Sequence, residues 1–279
     1  MIDAHVHFWK YNQVKDAWIT DEMKLLQRDF LPDDLKPALD KNKVEGVVAV
    51  QADQNEKETE FLISLANQNP SIRGVIGWTD FQNENIDKKL LYYSGFNIIK
   101  GFRHIVQGEP DGFLRNEKFL NGIKALQHYG LTYDILIYEK QLREAIIFIN
   151  KFPNQKFILN HCAKPAIKDK KINEWKSLMK EISQDENIFC KLSGLLTEAR
   201  WNQWREKDFY PYLDIVVECF GTNRLLFGSD WPVILLSGAY VKWKRLLENY
   251  FNNFSDEEKQ KVFGGNAIKF YDLDPVKFE

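Results

Sequence analysis

Residues 2–8 read Ile-Asp-Ala-His-Val-His-Phe, a short apolar run with two histidines that predicts the first strand of the fold. Runs of this kind recur at intervals of roughly 25 to 35 residues, and helical patterns separate them, as in proteins built from βα units. We predict eight strands, at residues 2–8, 44–52, 72–79, 98–104, 131–138, 156–161, 188–193 and 224–229. Eight such units in succession favour an α/β fold of the (β/α)8 TIM barrel type.

A doubly wound open sheet is the alternative arrangement of the same elements. That fold places a glycine-rich turn after its first strand to bind a phosphate, whereas Phe8-Trp9-Lys10 stand here. A length of 279 residues suits one barrel, and no repeat, low-complexity tract or Pro/Gly-rich linker divides the chain. We therefore predict a single barrel domain over residues 1–279, with a helical tail at about 255–273.

The composition argues against several classes of partner. Lys and Arg total 38 against 40 Asp and Glu, a net charge of -2 without a basic block, so we predict no binding to nucleic acid or membrane. The longest apolar runs are much shorter than the roughly 20 residues that span a bilayer. Cys162, Cys190 and Cys219 lack a CxxC spacing and no secretory signal pattern opens the chain, which together predict a cytoplasmic location. A small or neutral partner is favoured, and the oligomeric state stays open.

The five histidines are concentrated at strand ends. His5 and His7 end strand one, His104 ends strand four and His161 ends strand six, whereas His128 falls in a helix tail. In a barrel the reacting groups lie at the carboxyl ends of the strands. His5 and His7 are two residues apart on a strand, so their side chains face the same way and can share a cation. Packed histidines bonded to the backbone are the alternative.

Asp230 is the matching candidate on strand eight, in the segment Phe227-Gly228-Ser229-Asp230-Trp231-Pro232. Strands eight and one are neighbours in a closed barrel, so its carboxylate is expected to face His5 and His7. There it would complete a metal site or take a proton from water as a general base. A turn or capping role is the alternative.

Several motifs together resemble those of the amidohydrolase-related family, in the branch of sugar lactonases that includes L-fuconolactonase and L-rhamnonolactonase. The resemblance runs essentially end to end, and its most discriminating segments are RHIVQGEPD and SDWP. It implies a barrel of the metal-dependent-hydrolase type that opens lactone rings as a carboxylic ester hydrolase. The motifs are DAHVHFW (3–9), GFRHIVQGEPDGFL (101–114), LNHCAKP (159–165), KLSGL (191–195), FGSDWPV (227–233) and GGNAIKFYDL (264–273).

The sequence departs from the wider superfamily on strand five. Members with two metals usually add a histidine there, whereas this strand carries Tyr133 and Asp134 and no histidine. A two-metal site is therefore not expected. The remaining set would hold one divalent cation, zinc or manganese, with mixed nitrogen and oxygen ligands and no organic cofactor. These four expected ligands are His5, His7, His161 and Asp230.

Lactone hydrolysis needs a positioned water, a base and a group that stabilises the developing oxyanion. We expect Asp230 to be the base and His161 to ligate the metal or donate to the carbonyl oxygen. Arg103 and His104 are adjacent, so a regular strand cannot point both inward. We expect His104 to polarise the carbonyl and Arg103 to bind a polar substrate group. A structural pairing of Arg103 with a carboxylate is the alternative.

Further substrate contacts are expected from the strand ends and the following loops. Amide, hydroxyl or ammonium groups suit sugar hydroxyls, and indoles suit the apolar face of a sugar ring. Lys164 is a weaker candidate, and most of Trp175, Trp201, Trp204 and Trp243 are expected to pack within the fold. Two alternative functions are a metal-dependent decarboxylase of the same family and a non-catalytic sugar-binding barrel. The candidate contacts are Gln51, Gln107, Tyr133, Lys191, Trp9, Trp78 and Trp231.

Overall fold

The computed structural model describes residues 1–274 and contains one sheet of eight strands in the order of the sequence. Each strand pairs in parallel with the next one along the chain. The strands are β1 (Ile2–Val6), β2 (Gly46–Val50), β3 (Ile72–Gly77), β4 (Ile99–Ile105), β5 (Thr132–Leu136), β6 (Phe157–Leu159), β7 (Ile188–Leu192) and β8 (Leu225–Phe227). All eight fall within or overlap the predicted runs, and the barrel prediction is confirmed.

Helices follow the strands, and most of them form the outer layer. They are α1 (Pro32–Asn42), α2 (Glu56–Gln68), α3 (Ile86–Ser94), α4 (Glu117–Gln127), α5 (Leu142–Ile149), α6 (Asn173–Ile182), α7 (Leu195–Glu198), α8 (Tyr210–Phe220), α9 (Tyr240–Tyr250), α10 (Asp256–Gln260) and α11 (Asn266–Tyr271). A π-helical turn at Lys261–Gly265 joins the last two. Within residues 1–274, none of the helices has the length and apolar character needed to cross a bilayer.

The two faces of the sheet pack against different partners. On β2, Val47 and Ala49 belong to the large apolar layer between the sheet and the helices. Val48 and Val50 belong to a smaller cluster, which also contains Phe270 of α11. This alternation is what a strand buried on both faces requires. Helix α11 therefore covers one end of the barrel, and the opposite end, where the strands terminate, is left for the loops.

Strand β1 contains a local irregularity that matters for the site. Its pairing with β2 shifts register between Asp3 and Val6. Ala4 packs in the inner cluster, yet the adjacent His5 also reaches buried groups inside the barrel. Simple alternation would place these two side chains on opposite faces, and a bulge redirects the chain so that both face inward.

The barrel closes between β8 and β1. We call this junction, which few contacts hold together, the seam. Beyond β8, the Asp230 amide donates to the His5 carbonyl at 2.9 Å, and the His7 amide donates to the Trp231 carbonyl at 2.7 Å. Only an isolated bridge between Val6 and Trp231 joins these segments as strands. These main-chain hydrogen bonds therefore place Asp230 directly beside His5 and His7.

A buried carboxylate reinforces the seam. Asp3 Oδ1 accepts from the amides of Ser229 at 2.9 Å and His5 at 3.1 Å, and Oδ2 accepts from the Tyr240 hydroxyl at 2.9 Å. Burial raises the pKa of Asp3 to about 6. Asp3 therefore ties β1, the segment after β8 and helix α9 together at one point.

Removal of the Tyr240 hydroxyl is expected to weaken the seam. Tyr240→Phe takes one donor from a buried carboxylate, and a hydrogen bond to such a group is worth roughly 1.5–3 kcal/mol. Tyr250→Phe is the matched control, because its hydroxyl donates at 2.8 Å to Asp214 in an exposed pair that water replaces. Urea unfolding should show a loss of about 2 kcal/mol for the first variant and less than about 0.5 kcal/mol for the second. Equal losses would contradict the role of Asp3.

Candidate active site

A cavity of about 510 Å³ opens where the strands end. Its polar floor comes from four different strand ends: His7 follows β1, Arg103 lies on β4, His161 follows β6 and Asp230 follows β8. The walls come from further strand ends and from the segments that follow the strands. They are lined by Trp18, Met23, Ala52, Ile105, Gln107, Gly108, Leu136, Tyr138, Lys164, Thr197, Glu198, Trp201, Val233 and Leu236.

The predicted set of three histidines and Asp230 comes together on this floor. Asp230 Oδ1 lies 3.3 Å from His7 Nε2, 3.7 Å from His5 Nε2 and 3.8 Å from His161 Nε2. His5 Nε2 and His7 Nε2 are 3.2 Å apart. Donor atoms of His5, His161 and Asp230 lie within 4.8 Å of one another, and all four side chains are buried.

A left-handed turn aims His161 at this cluster. His161, Cys162, Ala163 and Lys164 have φ values of 55, 51, 57 and 50°. Each such residue costs roughly 1–2 kcal/mol, so the surrounding structure must hold the turn. The Lys164 amide donates to the His161 carbonyl at 2.8 Å, and the Trp175 indole donates to the Cys162 carbonyl at 2.9 Å. Strain is thus concentrated where two cavity side chains, His161 and Lys164, are presented.

Hydrogen bonds at Nδ1 fix the rings of His7 and His161 so that their Nε2 atoms face Asp230. His7 Nδ1 lies 2.8 Å from the Val50 carbonyl, so it carries the proton and its Nε2 lone pair faces Asp230. His161 Nδ1 lies 2.8 Å from the Ser193 hydroxyl, which can either donate or accept. A lone pair and a carboxylate oxygen 3.3 Å apart repel each other unless a proton or a cation lies between them.

The electrostatics favour neutral histidines beside an ionised Asp230. Burial lowers the pKa of His161 to about 3 and lowers the pKa values of His5 and His7 as well. Burial opposes the charge on Asp230, but His161, His7 and Lys164 lower the pKa of Asp230 to about 2. At neutral pH the cluster therefore combines unprotonated imidazole nitrogens with a carboxylate, which is a donor set suited to a divalent cation.

Arg103, not His104, points into the barrel. Its Nη1 donates to Asn160 Oδ1 at 3.2 Å and its Nη2 to the Gln51 carbonyl. Gln51 is fully buried, and its side-chain amide donates to the Arg103 carbonyl at 3.0 Å, so Gln51 braces the arginine instead of lining the cavity. Burial lowers the pKa of Arg103 to about 10, which leaves the guanidinium charged at neutral pH.

His104 faces away from the cavity, which corrects the expectation that it meets the substrate carbonyl. It accepts at Nδ1 from the Trp78 indole at 3.2 Å, and its Nε2 lies 2.8 Å from Glu109 Oε1. The ring stacks on Phe113 with centroids 4.6 Å apart. Because Arg103 faces inward, alternation along β4 places the next side chain on the outer face. Trp78 is engaged with His104 and likewise does not line the cavity.

Lys191 lies beneath the cluster. Its ammonium donates to Asp134 Oδ2 at 2.6 Å and lies 3.3 Å from His5 Nδ1. The Tyr271 hydroxyl of α11 also donates to Asp134, at 3.0 Å. Lys191 is completely buried in this network, so it is not placed to touch a substrate at the mouth.

Comparison with known proteins places the chain in a family. A family model described as amidohydrolase matches residues 2–273. The chain belongs to the amidohydrolase family. An L-fucono-1,5-lactonase of Burkholderia multivorans is 34% identical to this amidohydrolase, and the match covers 98% of the present chain and 96% of the relative. An L-rhamnono-gamma-lactonase of Scheffersomyces stipitis is 27% identical over 64% of the chain and 61% of the relative.

Solved structures agree with this assignment. A crystal structure of an amidohydrolase from Burkholderia multivorans with bound zinc is 35% identical to this amidohydrolase and has a TM-score of 0.94. The match covers 98% of this chain and 99% of that chain. The shared barrel therefore extends over nearly the whole length of both proteins.

Three aromatic residues expected at the substrate are instead packed inside the amidohydrolase. Trp9 is fully buried against Phe30, with its indole donating to the Arg28 carbonyl, and Trp231 packs on the same phenylalanine. Tyr133 is fully buried in a cluster of phenylalanines. Trp9 and Trp231 lie beyond the ends of β1 and β8, so strand alternation does not set their directions, and the antiparallel bridge of Trp9 with Phe30 holds its indole away from the cavity.

Several cavity residues were not selected from the sequence, and Lys164 was named there only as a weaker candidate. Trp18 and Trp201 line the cavity, although Trp201 was expected to be a packing residue. Lys164 pairs with Glu198 at 3.0 Å, and Glu198 and Asp230 raise its pKa although burial opposes the charge. All four lie in the segments that follow β1, β6 and β7, and that placement at the mouth of a barrel was the available signal.

Gly194 is expected to be essential for the position of His161. Its φ is +65°, and an added Cβ would lie 2.5 Å from His161 Nδ1. Gly130, with φ of +66° and open space around it, is the matched control for backbone strain alone. We expect Gly194→Ala to lower the free energy of unfolding by about 3 kcal/mol and Gly130→Ala by about 1 kcal/mol. Urea unfolding measures both, and similar losses would show that His161 can move freely.

Proposed function

We propose that this amidohydrolase opens sugar-derived lactones by water attack, with Asp230 as the general base. The observation that carries the proposal is the position of Asp230, a buried and ionised carboxylate on the cavity floor within 3.3–3.8 Å of three imidazole nitrogens. The relatives named as L-fucono-1,5-lactonase and L-rhamnono-gamma-lactonase support the choice of substrate class. The cavity, at about 510 Å³, has room for a single sugar lactone ring and water.

The proposed reaction uses one proton transfer in each direction. Asp230 takes a proton from water while the water oxygen attacks the lactone carbonyl carbon. The ring C–O bond then breaks, and the leaving ring oxygen receives the proton back from Asp230. The product is the open-chain hydroxy acid, so one water is consumed and the base is regenerated.

Cationic groups around the cavity suit the charge that develops on the carbonyl oxygen. Lys164 is held in place by Glu198, and Arg103 by Asn160 and Gln51, so neither has to reorganise during the reaction. We assign to Lys164 and Arg103 the stabilisation of the oxyanion and of the product carboxylate. His161 adds a third polar group that faces the same space.

Two indoles are placed to receive the sugar ring. Trp18 comes from the loop after β1 and Trp201 from the segment after α7, and both line the cavity. An indole face packs well on the apolar face of a sugar. We therefore transfer the stacking role from Trp9, Trp78 and Trp231 to these two residues.

We further propose that the cluster binds one divalent cation, zinc or manganese. Asp230 Oδ1 lies 3.3–3.8 Å from the three Nε2 atoms and His5 Nε2 lies 3.2 Å from His7 Nε2, close to the spacing of ligands around one ion with bonds of about 2.0–2.2 Å, and donor atoms of His5, His161 and Asp230 lie within 4.8 Å of one another. His7 and His161 have the outer partners that metal ligands require, in Val50 and Ser193. His5 differs, because its Nδ1 faces the Lys191 ammonium. When bound, such an ion polarises the carbonyl and lowers the pKa of water.

Asp230→Asn tests the base directly. The amide keeps the shape of the carboxylate but cannot accept the proton, so we expect lactone opening to fall at least about 100-fold. Proton release from L-fucono-1,5-lactone in a pH-indicator assay measures the rate. Asp111→Asn, an exposed residue of the loop after β4, should retain full activity. A folded Asp230→Asn protein with near-normal turnover would remove Asp230 from the mechanism.

Metal binding has a test that does not depend on catalysis. Competition between the protein and a zinc-binding dye should reveal about one zinc per chain. Ser193→Ala removes the outer partner of His161 and should weaken zinc binding about tenfold or more. His128→Asn, at the end of α4, should leave zinc binding unchanged. Failure of the protein to compete for zinc would refute the metal proposal and leave the role of Asp230 to the preceding experiment.

A further inference from the structure

We propose that Trp78, His104 and Glu109 form a clamp that positions the Gln107 amide as a substrate-binding donor. This inference rests on the proposed lactonase function for the identity of the ligand. The clamp itself lies on the outer face of β4, behind the cavity wall. Its three members are joined by the Trp78 to His104 bond at 3.2 Å and the His104 to Glu109 bond at 2.8 Å.

The direction of the hydrogen bonds follows from the chemistry of the groups. An indole N–H is only a donor, so His104 Nδ1 must accept from Trp78. The proton of the neutral ring is therefore on Nε2, where it donates to the Glu109 carboxylate. Burial lowers the pKa of His104, which keeps the ring in this neutral form at neutral pH. The ring is further fixed between its hydrogen bonds by stacking on Phe113.

The clamp holds a short segment whose two ends are already anchored. At one end, the Ile105 amide donates to Gln54 at 2.7 Å and the Val106 carbonyl accepts from Gln141 at 2.9 Å. At the other end, the amides of Gly112 and Leu114 donate to Glu144 at 3.0 and 2.7 Å. Between these anchors lie residues 107–111.

Within the described structure, the side chain of Glu109 provides the one side-chain hydrogen bond that ties residues 107–111 to the rest of the fold. The Glu109 amide adds only a local bond, to the Val106 carbonyl at 3.0 Å. His104 is 7% exposed, whereas Glu109 lies nearer the surface. The position of this segment therefore depends on a rigid ring that the barrel itself holds.

Gln107 is the residue that this segment brings to the cavity. It lines the cavity, and its Nε2 is buried without a hydrogen-bond partner among the described residues. A buried amide donor that lacks a partner costs free energy unless a ligand or water satisfies it. A sugar lactone presents hydroxyl, ring and carbonyl oxygens that can accept from such a group. We therefore assign Gln107 to substrate recognition and the clamp to its positioning.

A double-mutant cycle tests the assignment, with L-fucono-1,5-lactone as the probe. Gln107→Ala and Glu109→Ala should each raise KM about fivefold to tenfold, with kcat changed much less, because each loses the same hydrogen bond. The double variant should be no worse than either single one. Glu109→Gln keeps an acceptor for His104 and should restore KM, and Asp111→Ala in the same segment should not change it.

The proposal is overturned if Glu109→Ala or Gln107→Ala leaves KM unchanged, or if their effects multiply in the double variant. Hydrogen exchange of the amides of residues 105–109 supplies a second readout without substrate. Exchange should accelerate in Glu109→Ala but not in Asp111→Ala, and unchanged exchange would also refute the clamp. If the wild-type protein opens no lactone yet shows this exchange pattern, the proposed function fails while the positioning of Gln107 by the clamp stands.

Discussion

The active-site geometry depends on how the barrel closes between its first and last strands. Two main-chain hydrogen bonds cross this seam, and the buried Asp3 carboxylate braces it from the outer side. The Asp230 amide is itself one of the seam donors, so the distance of its carboxylate from His5 and His7 is set by backbone and not by flexible side chains. Such preorganisation is what a reacting group requires, because small displacements of the groups reduce catalysis steeply.

The barrel interior also keeps Asp230 free to react. Several cations are buried nearby, and an unpaired buried charge would cost several kcal/mol. Lys191 is neutralised by Asp134, and Lys164 by Glu198. Because these cations have partners of their own, Asp230 is surrounded mainly by neutral imidazoles. His161, His7 and Lys164 lower the pKa of Asp230 to about 2, so the carboxylate is ionised at neutral pH and faces the cavity without being consumed in an ion pair with a lysine.

Left-handed backbone also presents side chains to the same cavity. The left-handed turn from His161 to Lys164 and the left-handed Asp230 at φ of 60° both present cavity side chains. Gly194 leaves the space into which the His161 ring fits. The more exposed wall is held in a different way, because the position of the segment that carries Gln107 depends on the outward-facing His104. The floor is thus held by backbone and the wall by a side-chain clamp.

Periodicity predicted the eight strands because each strand is short, apolar and bounded by helical patterns. The same reasoning located His5, His7, His161 and Asp230, since the carboxyl ends of barrel strands converge whatever the details of packing. It assigned the substrate carbonyl to His104, whereas the structure turns Arg103 inward. Adjacent residues on a strand face opposite ways, but which of them faces inward is set by the register of the whole sheet.

The amino-acid sequence by itself determined the barrel, the family resemblance and the residues of the central cluster, because these follow from local patterns and strand ends. Only the tertiary structure decided which neighbouring side chains reach the cavity. The bulge in β1 turns His5 inward beside Ala4, and the loops bring Trp18 and Trp201 to the mouth while Trp9 is buried. The physical reason is that side-chain direction in a closed sheet depends on pairing and loop packing between residues that are distant in the chain.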